Sequence, residues 1–252
     1  IRKIKIGHAG TLDPLATGLL LVCTGKMTKS IDSYQAQEKE YTGEMIVGAT
    51  RPSYDMESEI DAKFDIAGFD TRLLENATTN FTGDIEQVSP IYSALKINGE
   101  RAYKLVRRGE VPLMKSRQVF IKEFKLDTTR FPEVKFKIIC SKGTYIRSLV
   151  HDLAKSVNSG AYLNELTRTR IGEFQLGNAW NLEELIAAIR VSRGMPAAKE
   201  LNNHIFQAKR VRAYHHNHTA YSPQQEILVS LGNPDAIDVK DSASNLPTQI
   251  SE

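Results

Sequence analysis

Along this chain, apolar positions recur with two distinct periods, and each period predicts a set of elements. Residues 39–50 alternate, with Tyr41, Gly43, Met45 and Val47 set against Thr42, Glu44 and Ile46. Period two predicts a strand with at least one buried face. Gln118 to Leu126 and Val134 to Cys140 predict two more strands. Ile146, Leu149, Val150, Leu153 and Val157 follow the 3.6-residue period of a strong helix, with Thr144 as its N-cap. Leu182 to Ile189 forms another amphipathic helix. Residues 69–82 have helical spacing too, with Phe69, Leu73, Leu74, Ala77 and Phe81 as the apolar face. Residues 100–108 read as a short basic helix stopped by Gly109. Residues 1–29 read as a loop punctuated by Gly7, Gly10, Pro14 and Gly18, followed by a buried segment from Leu19 to Val22. Past about residue 196 the pattern fades to one strand over Gln225 to Leu231 and a polar, frayed end.

Strands and helices are interspersed without regular βαβ alternation and without an internal repeat. The expected fold class is α+β, with a mixed, mainly antiparallel central sheet flanked by helices. Residues 1–200 hold the patterned domain, and residues 201–252 read as a C-terminal tail.

Composition narrows the class. The 252 residues are 41% hydrophobic and 25% charged, which suits a globular chain with a core of its own. No apolar run approaches the ~20 residues of a membrane span, and no signal peptide is visible, so a cytoplasmic protein is expected. Cys23 and Cys140 lie in apolar or strand-like runs and are expected as buried, reduced thiols. The chain opens at Ile1 in a basic run, Arg2-Lys3-Ile4-Lys5, which reads as a start lacking upstream residues.

Thirty-three Lys and Arg against thirty Asp and Glu leave a net charge of +3, but the charges are segregated. Glu38, Glu40, Glu44, Asp55, Glu57, Glu59, Asp61 and Asp65 crowd one stretch. Arg101, Lys104, Arg107, Arg108, Lys115, Arg117, Lys122 and Lys125 crowd another, and Lys142, Arg147, Lys155, Arg168 and Arg170 continue it. Two solvated faces of opposite sign explain this as well as a basic groove for a polyanion does. On the groove reading, the basic stretches are expected on the same side as the candidate chemistry.

Several chemistries are excluded. Gly25-Lys26 lacks the first glycine and final hydroxyl of a P-loop, and no Gly-x-Gly-x-x-Gly follows a strand. Two distant cysteines make no zinc site. His215, His216 and His218 have no carboxylate or cysteine nearby and read as a basic tail. Two segments remain. In Gly7-His8-Ala9-Gly10-Thr11-Leu12-Asp13-Pro14-Leu15-Ala16-Thr17-Gly18, one carboxylate is held between a leucine and a proline that restricts it to extended geometry. Such a loop presents Asp13 rigidly to a ligand, or is a turn closed by an Asx hydrogen bond. In Ser141-Lys142-Gly143-Thr144-Tyr145-Ile146-Arg147, a glycine and a cap precede a helix whose first turn offers Tyr145 and Arg147. An arginine beside a carboxylate favours the charged form that a nucleophile needs. The alternative is a core tyrosine and a routine surface pair.

The first of these segments closely resembles the catalytic motif of the TruB-type pseudouridine synthases, the bacterial tRNA pseudouridine-55 enzymes related to the dyskerin type. Lys39-Glu40-Tyr41 resembles that family's Lys-x-Tyr motif. Ser89-Pro90-Ile91-Tyr92-Ser93-Ala94-Leu95-Lys96 resembles its Pro-Pro-x-x-Ser-Ala-x-Lys block. Gly143 to Arg147 and Leu166-Thr167-Arg168 complete an ordered set reaching residue 190 or so.

The resemblance implies an isomerase that converts uridine 55 of the tRNA T-loop to pseudouridine, with Asp13 as catalytic nucleophile. It implies that Tyr41 packs against the target base, that Arg147 pairs with the catalytic carboxylate, and that Asp55 stands on the arginine's other side. Tyr145 and Leu166 match further pocket residues, Lys96 a supporting one, and His8 the histidine that takes the place of an extruded base. It further implies no cofactor and no metal, a monomer, and tRNA as partner through its T-loop and T-stem. A tRNA-binding or tRNA-folding module without catalysis is the competing reading. A metal-dependent hydrolase using Asp13 and His8 lacks further ligands at plausible spacing. The family's usual opening block, Asp-Lys-Pro-x-Gly-x-[Thr/Ser]-Ser, is absent, Ser89-Pro90 replaces a double proline, and residues 201–252 show no strand set of the PUA type.

Overall fold

The computed structural model describes residues 5–93, 95–97, 99–110, 112–192 and 227–231. The histidine cluster and most of the tail beyond residue 200 lie outside the described residues. Strands β1 (Ile6–His8) and β2 (Ala16–Thr24) bracket the glycine-rich loop. Then come α1 (Ile31–Ala36), β3 (Lys39–Val47), β4 (Ala49–Thr50), β5 (Ala62–Lys63), α2 (Arg72–Ala77) and β6 (Gly83–Val88). The short strands β7 (Lys96–Ile97) and β8 (Glu100–Arg101) lead into α3 (Ala102–Arg107), followed by β9 (Ser116–Arg130) and β10 (Glu133–Cys140). The chain continues through α4 (Ile146–Ser156), β11 (Ala161–Ile171), β12 (Phe174–Gln175), β13 (Trp180–Asn181), α5 (Leu182–Ser192) and β14 (Ile227–Leu231).

Among the described residues, ten strands form one sheet in the order β13-β14-β2-β11-β3-β10-β9-β6, with β1 beside β2 and β12 beside β11. The pairs β11–β2 and β14–β2 are parallel and the other pairs of this sheet are antiparallel, so the sheet is mixed and mainly antiparallel. The main core forms where α4 lays Ile146, Leu149, Val150 and Leu153 against Val134, Phe136 and Ile138 of β10 and Met45 and Val47 of β3. A second cluster joins Ala9, Leu19, Leu21 and Ile171, with Tyr34 of α1 and Phe174 edge to face at 5.7 Å. The helices thus flank the sheet. Cys23 and Cys140 are free and buried, as their surroundings in sequence suggested.

Four local expectations change. The first stretch is not simply loop: β1 pairs antiparallel with the end of β2, His8 opposite Val22. Residues 69–82 are not one helix. The Asp70 carboxylate accepts the Arg72 N–H at 3.1 Å, which delays helix entry to Arg72, and the chain tightens to a 3-10 turn over Thr78–Phe81. Leu74 and Ala77 are buried, but Leu73 faces solvent at 49% exposure and Phe69 stacks on Phe131 ahead of the helix. Thr144 does not cap α4. Its hydroxyl donates to Ser141 O at 3.0 Å within the turn at Gly143, and the helix starts two residues later.

The fourth change concerns charge. Because β3 lies between β10 and β11, the acidic and basic stretches meet in space. Glu38 pairs with Arg170 at 2.6 Å and Lys122 at 3.4 Å, and Glu40 with Lys137 at 3.2 Å. Segregation along the chain is therefore partly cancelled in the fold, and the basic residues that touch the loop are Arg147 and Arg168.

At the start of β3, Lys39 is 6% exposed and donates to Gln35 O and, at 2.6 Å, to Gln37 O. Burial first, then the Arg168 charge, lowers its pKa to about 8 from 10.5. The unfolded chain therefore binds the extra proton between about pH 8 and 10.5, and Lys39 makes stability rise with pH across that window. The buried Cys140 thiol, pushed up to about 11 from 9.0, acts in the opposite direction above pH 9 or so. Measured against Lys39→Met, the wild-type unfolding free energy in urea is expected to gain steadily from about pH 8 to about pH 10. A flat difference overturns this account.

Candidate active site

The loop between β1 and β2 presents Asp13. Its base is fixed by Ala9 N–H donating to Leu21 O at 2.8 Å, and Ala16 N–H closes a turn on Asp13 O at 2.9 Å. Leu12 packs into the main core. Gly10 and Gly18 hold φ of 105° and 101°, which side chains rarely adopt, and a Cβ at Gly18 would fall 2.4 Å from Arg168 O. The loop is thus seated directly on β11, and the Asp13 side chain stays 38% exposed.

Beneath it lies Arg147, on the first turn of α4 and only 4% exposed. Its Nε donates to Asp13 Oδ2 at 2.9 Å, Nη1 to Ser53 O at 3.1 Å and Nη2 to Tyr92 O at 3.2 Å. Asp55 Oδ2 stands 3.2 Å from Nη1 and is itself 5% exposed. A buried guanidinium is tolerable when it is paired and hydrogen-bonded, and here each of the three nitrogens has a partner. The two carboxylates differ in setting. Asp55 Oδ1 accepts the Glu57 N–H, and its backbone bridges Leu163 of β11, so Asp55 is built into the frame. Asp13 is bonded through Oδ2, shows no hydrogen bond to Oδ1 among the described residues, and keeps a partly exposed side chain.

Asp13, Ala16, Asp55, Arg147, Asn164 and Leu166 line a small open depression beside that carboxylate. Its walls are largely apolar, with Leu15 and Leu163 joining Leu166. Tyr41 of β3 is half-buried against the same core and stands opposite Arg168 in the β3–β11 pair. Burial pushes its phenol up, and the Arg168 charge opposes that. The structure therefore gathers Asp13, Asp55, Arg147 and Leu166 at one depression, with Tyr41 in the adjoining core. His8 ends β1, exposed, and does not line the depression. Lys96 opens β7, and its side chain lies outside the described residues. Among the described residues, no group of three or more His, Cys, Asp or Glu converges as a metal ion would require.

Tyr145 is half-buried just before α4, with the Arg117 guanidinium 5.1 Å from its ring centroid. Its backbone is held by Gln87, which motif reading missed. Gln87 is 2% exposed; its Oε1 accepts the Tyr145 N–H at 2.8 Å and its Nε2 donates to Tyr145 O at 3.0 Å. A lone glutamine in a strand carries no local signal for such a role. Gln87→Leu is expected to cost about 1–3 kcal/mol by leaving a buried N–H unpaired, and to slow catalysis by freeing Tyr145. Chemical denaturation with a parallel activity assay checks both.

Residues 1–146 match the TruB family pseudouridylate synthase N-terminal domain, and residues 147–209 match the tRNA pseudouridylate synthase B C-terminal domain. Among curated relatives named tRNA pseudouridine synthase B, that of Flavobacterium johnsoniae is 51% identical over 178 residues, covering 71% of this chain and 78% of the relative. That of Phocaeicola vulgatus is 47% identical over 183 residues, covering 73% and 78%, and that of Clostridium tetani 38% over 208, covering 81% and 72%. Two solved structures share the fold. An H/ACA RNP bound to a substrate RNA containing 2′-deoxyuridine gives a TM-score of 0.51 at 21% identity, over 76% of this chain and 47% of that one. A Cbf5-Nop10-Gar1 complex gives 0.51 at 22%, over 76% and 49%.

Proposed function

This chain belongs to the TruB family of pseudouridylate synthases and is an isomerase acting on tRNA, and we propose that its target is uridine 55 of the T-loop, with Asp13 as nucleophile. The observation that carries the assignment is the asymmetry of the two carboxylates on Arg147. Asp55 is sealed into the frame, whereas Asp13 offers an oxygen to the depression while its other oxygen is held at 2.9 Å.

The reaction breaks the C1′–N1 bond and joins C1′ to C5, so the base must be detached, turned and reattached without escaping. Attack on the sugar, attack on the base and assisted elimination to a glycal all begin from the same outward Asp13 oxygen. Arg147 holds that carboxylate in register, and Asp55 balances the arginine's charge. Leu166 lines the depression that receives the base, Tyr41 in the adjoining core and Tyr145 just before α4 are read as the further pocket residues that retain it, and Lys96 is read as a supporting residue. His8, exposed beside the loop, fits the task of filling the gap left by a flipped base, an act that offsets part of the unstacking.

Arg147 and Leu166 fall in the second matched region and Asp13 and Asp55 in the first, yet they share one depression. We therefore read residues 1–200 as one catalytic unit working as a monomer on the T-loop and T-stem. The reaction belongs in the cytoplasm, in keeping with a tRNA substrate and buried free thiols. The test is chromatography and mass spectrometry of an unmodified tRNA transcript after incubation with the wild-type chain and with Asp13→Asn. Pseudouridine confined to position 55, and absent with the variant, is expected. Tight binding with no base change by the wild type identifies a binding module instead.

A further inference from the structure

Arg168 has no part in the roles above, yet at 2% exposure it is among the largest fully buried side chains among the described residues. It sits in β11 opposite Gly18 of β2, where the two strands run parallel. Its Nε donates to Leu19 O at 2.8 Å and its Nη2 to Gly10 O at 3.2 Å. Those two carbonyls stand on either side of residues 11–18, the stretch that carries Asp13. The contact is reinforced next door, where the hydroxyls of Thr17 and Thr167 meet at 2.8 Å. Across the β3–β11 pair Arg168 faces Tyr41, close enough for its charge to act on the phenol.

Among the described residues Arg168 forms no ion pair with a carboxylate. A buried guanidinium held by two carbonyls and the Tyr41 phenol, with no carboxylate, is a costly way to fill a strand interior. An aliphatic side chain would pack there without that penalty, and such breaches of the packing rules concentrate at functional sites. What only the guanidinium supplies is a fork that reaches both ends of one loop from a third strand.

We propose that Arg168 is a positioning residue for the isomerisation: it fixes the height of the Asp13 loop on β11 and sets the Tyr41 wall in the same frame. The inference rests on Asp13 being the reacting group. Its test is single-turnover pseudouridine formation by Arg168→Lys and Arg168→Met, with tRNA affinity measured by filter binding. Lysine keeps the charge but not the fork. The rate constant of Arg168→Lys is expected to fall roughly 10- to 100-fold, because small displacements of a reacting group are that costly, and that of Arg168→Met further. The dissociation constant for tRNA is expected to stay within about threefold, since phosphate contacts dominate it. A merely structural role lowers the amplitude, which counts folded molecules, and leaves the rate constant unchanged. If Arg168→Met does not fold, the Arg168→Lys rate constant decides alone. Asp13→Asn in the same assay separates the two ideas. Full activity there overturns the nucleophile and this inference with it. Loss there with an unchanged rate constant in Arg168→Lys overturns this inference only.

Discussion

Asp13→Asn is expected to form no pseudouridine while binding tRNA about as tightly as the wild type. The substitution is nearly isosteric, and its amide oxygen can still accept from Arg147 Nε, now 2.9 Å from Oδ2. The loop is held by contacts that do not involve the carboxylate: Leu12 in the core, Gly18 on the Arg168 backbone, and the Ala9 N–H on Leu21 O. Folding should therefore be unaffected. What is lost is the proposed nucleophile, and removing such a group lowers turnover by roughly 10⁴-fold or more. Affinity rests on phosphate contacts, which neutralising one carboxylate leaves in place. Chromatographic separation of digested tRNA followed by mass spectrometry reads the first outcome and filter binding the second. Wild-type turnover by the variant would remove Asp13 from the mechanism.

Arg147→Met is expected to lose both activity and stability. The guanidinium is the shared partner of Asp13, Asp55, Ser53 O and Tyr92 O. Methionine fills part of the volume but leaves Asp55, at 5% exposure, as a buried charge with no partner on that side. Breaking a buried pair in this way typically costs about 3–5 kcal/mol. Turnover falls as well, because Asp13 loses the contact that fixes its orientation. The double variant Arg147→Met with Asp55→Asn separates the effects: it should regain a good part of the stability in urea unfolding and none of the turnover. Equal loss of stability in the single and double variants would show that Asp55 is not the group left stranded.

Much of this could be read before folding. Alternation over residues 39–50 became β3, and Val134 to Cys140 became nearly all of β10, because one buried face imposes period two. Ile146, Leu149, Val150 and Leu153 became the buried face of α4 for the corresponding helical reason. The Asp13 loop stood out because a proline restricts its backbone while glycines admit turns and close approach that other residues do not. Residues 69–82 misled because a period records which positions can share a face, not where an Asp70 side chain will delay the helix. The Thr144 cap failed similarly, its hydroxyl being taken by Ser141 O.

The remainder depended on which distant elements meet. Gln87 reaches the Tyr145 backbone across 58 residues, and Arg168 reaches Gly10 O across 158. Both contacts end on backbone groups, and a backbone carbonyl has no signature in sequence. The charge stretches likewise read as separate until β3 settled between β10 and β11 and set Glu38 and Glu40 against Lys122, Lys137 and Arg170. The sequence by itself determined most of the long strands and the main helix, which follow from local periods, and its motifs marked the family and, by resemblance, Asp13 as the proposed nucleophile. Only the tertiary structure decided that Asp55 is sealed while Asp13 faces outward, and that Arg168 ties the loop down. Exposure and hydrogen-bond partnership are properties of what packs against a residue, and here the deciding partners of Asp13 and Arg168 lie more than a hundred residues away along the chain.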